Sequence, residues 1–167
     1  MNRDEILKNM KVLYVEDDEA AREELADFLR RRAGKVLVGE NGLRGLELYE
    51  VFRPDIIIAD FYMPEMDGIE MIRRIRRSGG EPRVIVISAV NDVNIVLSAI
   101  DAGIDKYVLK PVSMQKLLAA MEEQALVIYE KKRKNEAARP ENRRKAEDEI
   151  KREFAAMLKA TTGKGPR

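Results

Sequence analysis

Five short apolar runs before residue 110 constrain the fold of this chain more than any other feature. Val12-Leu13-Tyr14-Val15, Val36-Leu37-Val38, Ile56-Ile57-Ile58-Ala59, Val84-Ile85-Val86-Ile87 and Tyr107-Val108-Leu109 are apolar throughout rather than alternating. Such runs suit strands buried on both faces of a parallel sheet. Between them lie amphipathic segments with recognisable stops. Ala20 to Arg32 puts Ala21, Leu25, Phe28 and Leu29 on one face and ends at Gly34. Leu43 to Phe52 aligns Leu43, Leu46 and Tyr49 before Pro54 blocks continuation. Ile69, Ile72 and Ile75 mark a third helix, ended by Gly79-Gly80. Val93, Val96, Leu97 and Ile100 mark a fourth, ended by Gly103. A strand followed by a helix, five times over, predicts an open, doubly wound α/β sheet. In such a sheet, ligands sit beyond the carboxyl ends of the strands.

The fifth helix starts near Ser113, with Leu117, Leu118, Met121, Ala125 and Ile128 as its apolar stripe, and nothing stops it before Glu130 to Lys134. Arg139-Pro140 interrupts the pattern. Glu141 to Ala160 then reads as a further helix with Ile150, Phe154, Met157 and Leu158 on one face, and 161–167 as a flexible tail. The expected organisation is a domain over 1–130, a charged linker or helix continuation over 131–140, an amphipathic helix over 141–160, and the tail. Charge divides the chain in the same place. Residues 129–167 hold 13 Lys/Arg and 7 Asp/Glu, whereas 1–128 hold 18 and 23, so a net charge of +1 hides an acidic body and a basic tail.

Absences narrow the chemistry. With no cysteine there is no disulfide framework or thiolate site. With no histidine there is no Ser-His-Asp triad, no histidine-ligated zinc, and no phosphohistidine on this chain. No apolar run approaches the roughly 18 residues of a membrane span, and Met1-Asn2-Arg3-Asp4-Glu5 is too polar for a signal peptide. A soluble, cytoplasmic protein is expected.

The polar residues that follow the strands carry the chemistry. Glu16-Asp17-Asp18-Glu19 follows the first strand, Asp60 the third, Ser88 the fourth and Lys110-Pro111 the fifth. The ends of strands one and three are neighbours in a doubly wound sheet, so Glu16, Asp17 and Asp60 converge. Clustered carboxylates raise one another's pKa unless a cation joins them, and Mg²⁺ is the natural one. Asp60 with a free oxygen could attack a phosphoryl group and form an acyl phosphate. Lys110 and the Ser88 hydroxyl would then hold the phosphoryl oxygens. Each residue also has an ordinary explanation. The acids could cap a helix, Asp60 could form a turn, Ser88 could cap the next helix, Lys110 could be solvated, and Tyr107 could be a core aromatic. Those explanations treat the residues singly and do not account for all of them following strands.

Val12-Leu13-Tyr14-Val15-Glu16-Asp17-Asp18, Asp60-Phe61-Tyr62-Met63-Pro64-Glu65-Met66-Asp67-Gly68, Ser88-Ala89 and Lys110-Pro111 together resemble the hallmark motifs of response-regulator receiver domains, over roughly residues 9–130. The resemblance implies a flavodoxin-like sheet of order 2-1-3-4-5 flanked by five helices, with a C-terminal helical extension. It implies a phosphoacceptor at Asp60 that binds Mg²⁺ through Asp17, Asp60 and the Tyr62 backbone carbonyl, with Glu16 completing the acidic site. Ser88 matches the switch hydroxyl, Tyr107 the switch aromatic, and Lys110 the phosphate lysine. The Lys110-Pro111 bond resembles one that is cis in the family and aims the lysine inward.

In receivers the positions two after the aspartate and two after the switch hydroxyl tune phosphoryl lifetime. Here they are Tyr62 and Val90, neither suited to orient a water, which implies slow self-dephosphorylation. The implied donor is a sensor histidine kinase or phosphotransfer protein. The implied output is the face formed by the fourth helix, fifth strand and fifth helix. No turnover enzyme is expected beyond self-phosphotransfer and slow self-hydrolysis.

Residues 131–167 leave no room for a winged helix or cyclase domain. The extended fifth helix and the 141–160 helix read as a homodimerisation or helical partner-binding element using Leu126, Ile150, Phe154, Met157 and Leu158. Alternatively they are the linker of a fragment whose output domain is absent. The ending Gly163-Lys164-Gly165-Pro166-Arg167 favours the first reading. Nucleic-acid binding fits poorly, because acids interleave with the basic clusters and no aromatic platform accompanies them. Two further alternatives stand: a phosphorylation-independent interaction module, and an aspartyl-nucleophile phosphohydrolase. The latter is disfavoured because Tyr62 occupies the place of the usual second acid.

Overall fold

The five apolar runs form β1 (Lys11–Val15), β2 (Lys35–Gly39), β3 (Ile56–Asp60), β4 (Arg83–Ser88) and β5 (Lys106–Leu109). The structure, a computed structural model, describes residues 1–162 and the side chains of residues 1–157. All strand pairings are parallel and the order is β2-β1-β3-β4-β5. The helices are α1 (Arg3–Leu7), α2 (Glu19–Arg30), α3 (Gly42–Phe52), α4 (Gly68–Arg77), α5 (Val93–Asp101), α6 (Met114–Ala137) and α7 (Pro140–Thr162). This is the five-stranded doubly wound sheet expected from the sequence.

Strand residues alternate between the two faces. Leu13, Val15, Ile57, Ala59, Val84 and Val86 join one buried cluster with Leu48 and Tyr49 of α3, Ile69, Met71, Ile72 and Ile75 of α4, and Ala99 of α5. The alternate positions, Val12, Tyr14, Ile56, Ile58, Ile85 and Ile87, are equally buried on the other face. Buried helical residues outside that cluster come mainly from α2 (Leu25, Ala26, Leu29) and the first half of α6 (Leu117, Met121, Ala125), with Ile6 and Leu7 of α1. Burial of each such Ile or Leu contributes about 1.5–3 kcal/mol.

Three sequence expectations are corrected. The N-terminal residues form α1, which the apolar periodicity did not reveal. Its signal is a capping box, in which the Asn2 side chain accepts from the Glu5 N–H and the Glu5 carboxylate accepts from the Asn2 N–H. Second, β2 and β5 are not buried on both faces, because they are the sheet's edges. Third, most of the stripe expected to bury α5 does not face the core, although Ile95 packs partly buried against it. Val93, Leu97 and Ile100 are 70 %, 52 % and 56 % exposed, and the helix turns its smaller Ala99 to the sheet. Leu43 is likewise exposed at the start of α3.

The chain divides into two compact units, Met1–Ile128 and Tyr129–Arg167. In the second, Pro140 is the first residue of α7 rather than a break outside it. The last turn of α6 is joined to α7 by a hydrogen bond from the Asn142 amide to the Glu136 carbonyl, 2.7 Å. Ile150, Phe154 and Met157 are exposed. The Leu158 side chain and residues 163–167, expected to complete the stripe and the tail, lie outside the described residues, and α7 continues through Thr162.

Candidate functional site

Parallel register brings the carboxyl ends of the strands to one rim. Val15 pairs with Ala59, Asp60 with Ile87, and Ser88 with Leu109. Glu16 leaves β1, Asp60 ends β3, Ser88 ends β4, and all three are buried; Asp17 is exposed. One carboxylate oxygen from each of Glu16, Asp17 and Asp60 lies within 4.8 Å of the others. Lys110 leaves β5 and places its Nζ 2.7 Å from Asp60 Oδ2 and 3.0 Å from Glu16 Oε2. Its bond to Pro111 is cis.

The electrostatics follow from burial. Desolvation pushes the Glu16 carboxyl up, the Asp60 charge adds to that, and the hydrogen bond from Lys110 opposes it. Burial alone would depress Lys110, but hydrogen bonds to Asp60 and Glu16 outweigh it and hold the ammonium above its ordinary value. The Tyr14 phenol, raised by its own burial and by the Glu16 and Asp60 charges, stays protonated. One ammonium thus faces three carboxylates, two of them buried. The residual negative charge and all-oxygen donor set fit a divalent hard cation such as Mg²⁺, which takes one or two carboxylates and completes its shell with water or phosphate oxygens.

Local contacts fix this rim. Asp18 is not part of the cluster; it is the N-cap of α2, accepting from the Ala21 N–H at 2.8 Å, so the capping explanation holds for that acid. The Arg22 guanidinium reaches back from α2 to the carbonyls of Glu16 and Asp17, at 3.0 and 3.1 Å. The Asp60 Oδ1 accepts from the Tyr62 N–H at 3.3 Å, the turn geometry of an aspartate. The Tyr62 side chain is 54 % exposed and stands edge-on to Phe61, ring centroids 4.8 Å apart. Behind the loop, a Cβ on Gly68 would collide with the Asp60 carbonyl oxygen, so α4 begins against the end of β3 only because residue 68 is glycine.

Ser88 is not a helix cap, since Asp92 caps α5. Its Oγ accepts from the Val90 N–H at 3.1 Å, and the Val90 carbonyl accepts from the Tyr107 hydroxyl at 2.7 Å. Val90, singled out for its side chain, thereby joins Ser88 to Tyr107 through its backbone. Arg22 is absent from the sequence reading, because its role depends on a helical reach across the turn; Gly68 belongs to the quoted motif, but its contact with the Asp60 carbonyl appears only in the fold.

The family model of the response regulator receiver domain matches residues 12–122. The chain belongs to that family. Response regulator receiver domains are signalling modules of two-component systems. It is 35% identical over 112 residues to the response regulator MprA of Mycobacterium avium (strain 104), a match covering 67% of this chain and 49% of that one. The chain thus spans about half the length of the MprA relatives it matches. The receiver also resembles the N-terminal domain of an uncharacterized protein from Wolinella succinogenes, with a TM-score of 0.70 and 34% identity, covering 73% of this chain and 98% of that one. A CheY-like receiver domain protein from Methanospirillum hungatei JF-1 shares the fold, with a TM-score of 0.70 at 21% identity over 74% of this chain and 98% of the other. Among the described residues no helix is long and apolar enough to cross a membrane.

Proposed function

We propose that this receiver is a cytoplasmic phosphoacceptor switch. In this reading Asp60 takes a phosphoryl group from a sensor histidine kinase or phosphotransfer protein, and the α5–β5–α6 face passes the change to a partner or second copy. The observation that carries the reading is the arrangement around Asp60: a buried carboxylate with one oxygen on the Lys110 ammonium, beside two further acids. Such a group is a nucleophile whose product, an acyl phosphate, has a cation already in place.

An Asp60 oxygen attacks phosphorus, the bond to the donor nitrogen breaks, and its electron pair stays on the donor. Lys110 transfers its hydrogen bond from the carboxylate to a phosphoryl oxygen. The Ser88 hydroxyl turns to donate to another. Mg²⁺ held by Asp17, Asp60 and the Tyr62 carbonyl, with Glu16 behind, would offset charge on the transferring group. Drawing Ser88 inward pulls on Val90 and so on the Tyr107 hydroxyl, which couples the site to β5 and to the start of α5.

Tyr62 and Val90 offer no acid or amide to orient water, which supports slow self-hydrolysis. Replacing Tyr62→Asn should shorten the phosphoryl lifetime, and an unchanged lifetime would remove Tyr62 from that role. The phosphoacceptor reading itself is tested by loading with acetyl phosphate and Mg²⁺, trapping with borohydride, and mapping the modified peptide. It requires the label at residue 60, and a label elsewhere refutes it.

For the C-terminal extension we propose a dimerising or helical partner-binding role, supported by the exposed Ile150, Phe154 and Met157 of α7. Sedimentation of the chain with a beryllofluoride mimic, against a Phe154→Glu variant, tests it; identical profiles for the two would discard the role. The match to half of the MprA relatives favours a second reading, in which α6 and α7 lead to an output domain.

A further inference from the structure

The helix that follows Ser88 is poorly held by its own side chains. In α5 only Ala99 is fully buried, with Ile95 partly buried against the same cluster, whereas α4 buries Gly68, Ile69, Met71, Ile72 and Ile75. A nine-residue helix with so little buried apolar area is marginal by itself. It is instead gripped from the neighbouring α4. Arg73 donates from its guanidinium to the Ser98 Oγ of α5, at 3.0 Å. One turn further along α4, Arg76 reaches the Gly103 carbonyl just past the end of α5 at 2.7 Å, and the Gly80 carbonyl at 3.1 Å. Arg74 and Arg77 behave differently: both fold back to Glu70 on their own helix.

We propose that Arg73 and Arg76 form a clasp that ties α5 to α4 and sets how readily α5 opens, with Arg73–Ser98 as its adjustable half. The arginine spacing matches this division of labour. Positions 73 and 76 lie on one flank of α4, three residues apart, and 74 and 77 lie on the next. Arg76 grips two backbone carbonyls and Asp105 stands 4.0 Å away, so it anchors the turn before β5. Arg73 grips a single exposed hydroxyl, a bond of modest net strength that can be broken and remade. Its release frees the stretch of α5 that carries Val93, Leu97 and Ile100, the apolar residues a partner would meet. The clasp's use as a switch element rests on the phosphoacceptor reading, but its existence does not.

Backbone amide hydrogen exchange on the full, unphosphorylated chain tests the clasp without any phosphoryl donor. Arg73→Ala and Ser98→Ala should each speed exchange across residues 93–101 by about threefold or more, the loss of one net hydrogen bond. The double variant should exchange no faster than either single one, and Arg77→Ala should match wild type. The proposal is overturned by wild-type exchange in either single variant, by effects that multiply in the double variant, or by an equal response to Arg77→Ala. A failure here leaves the phosphorylation of Asp60 to its own test, since no label is involved.

Discussion

The helices α4 and α5 follow the two strands that deliver Asp60 and Ser88, and they are built in opposite ways. The first is sunk into the sheet by Ile69, Met71, Ile72 and Ile75, and starts with Gly68 pressed on the Asp60 carbonyl. The second rests on Ala99 and the half-buried Ile95, leaves Val93, Leu97 and Ile100 in solvent, and is tied by arginine hydrogen bonds. The difference teaches that one rim holds two mechanical regimes. In the proposed function the Asp60 side would hold a nucleophile in place and is packed, whereas the Ser88 side would move as a readout and is tethered.

Core substitutions should break the comparison most sharply. Ile72→Ala in α4 should cost about 2–5 kcal/mol in denaturant unfolding, whereas Leu97→Ala in α5 should stay within about 0.5 kcal/mol of wild type. Equal costs would erase the distinction. Next in size, Gly68→Ala forces backbone apart at the acceptor and should cost about 1–3 kcal/mol. It should also slow phosphorylation by acetyl phosphate, because Asp60 moves with the displaced strand end. Saturating Mg²⁺ comes third: at tenfold excess over Kd it should add about 1.4 kcal/mol of stability. That gain should vanish in Asp17→Asn, as measured by thermal shift with and without a chelator. Smallest is Tyr107→Phe, which removes the hydroxyl from the Val90 carbonyl and should cost about 1 kcal/mol. Exchange at Val90 and early α5 should rise while α4 stays protected.

Much of this was legible in the sequence, and the rest was hidden for definite reasons. Uninterrupted runs such as Ile56–Ala59, alternating with helical patterns, point to strands of a parallel sheet, and polar residues right after them land on one rim by topology. That logic reached Glu16, Asp17, Asp60, Ser88 and Lys110 before any coordinates. It could not reach the way α5 turns, because Val93, Leu97 and Ile100 have the period of a core stripe whether they face the sheet or a partner. The small Ala99 that faces inward carries little signal. The run Val36-Leu37-Val38 by itself reads like an inner strand, and only the strand order, which the family resemblance rather than the run supplies, makes it a border. Contacts such as Lys110 with Glu16, 94 residues apart, and Arg73 with Ser98, 25 apart, exist only once the chain is folded. At α1 the signal was present in Asn2 and Glu5, but five residues are too few to show a period.

The central claim is that the packed side of the rim serves a phosphoryl acceptor at Asp60. Its most direct test is the intact mass of wild type and Asp60→Ala after incubation with acetyl phosphate, with and without Mg²⁺. The account predicts a single phosphoryl adduct on wild type that requires Mg²⁺ and is absent from the variant. A folded wild-type protein that takes no adduct from intact donor, or a variant that takes one equally well, would contradict it.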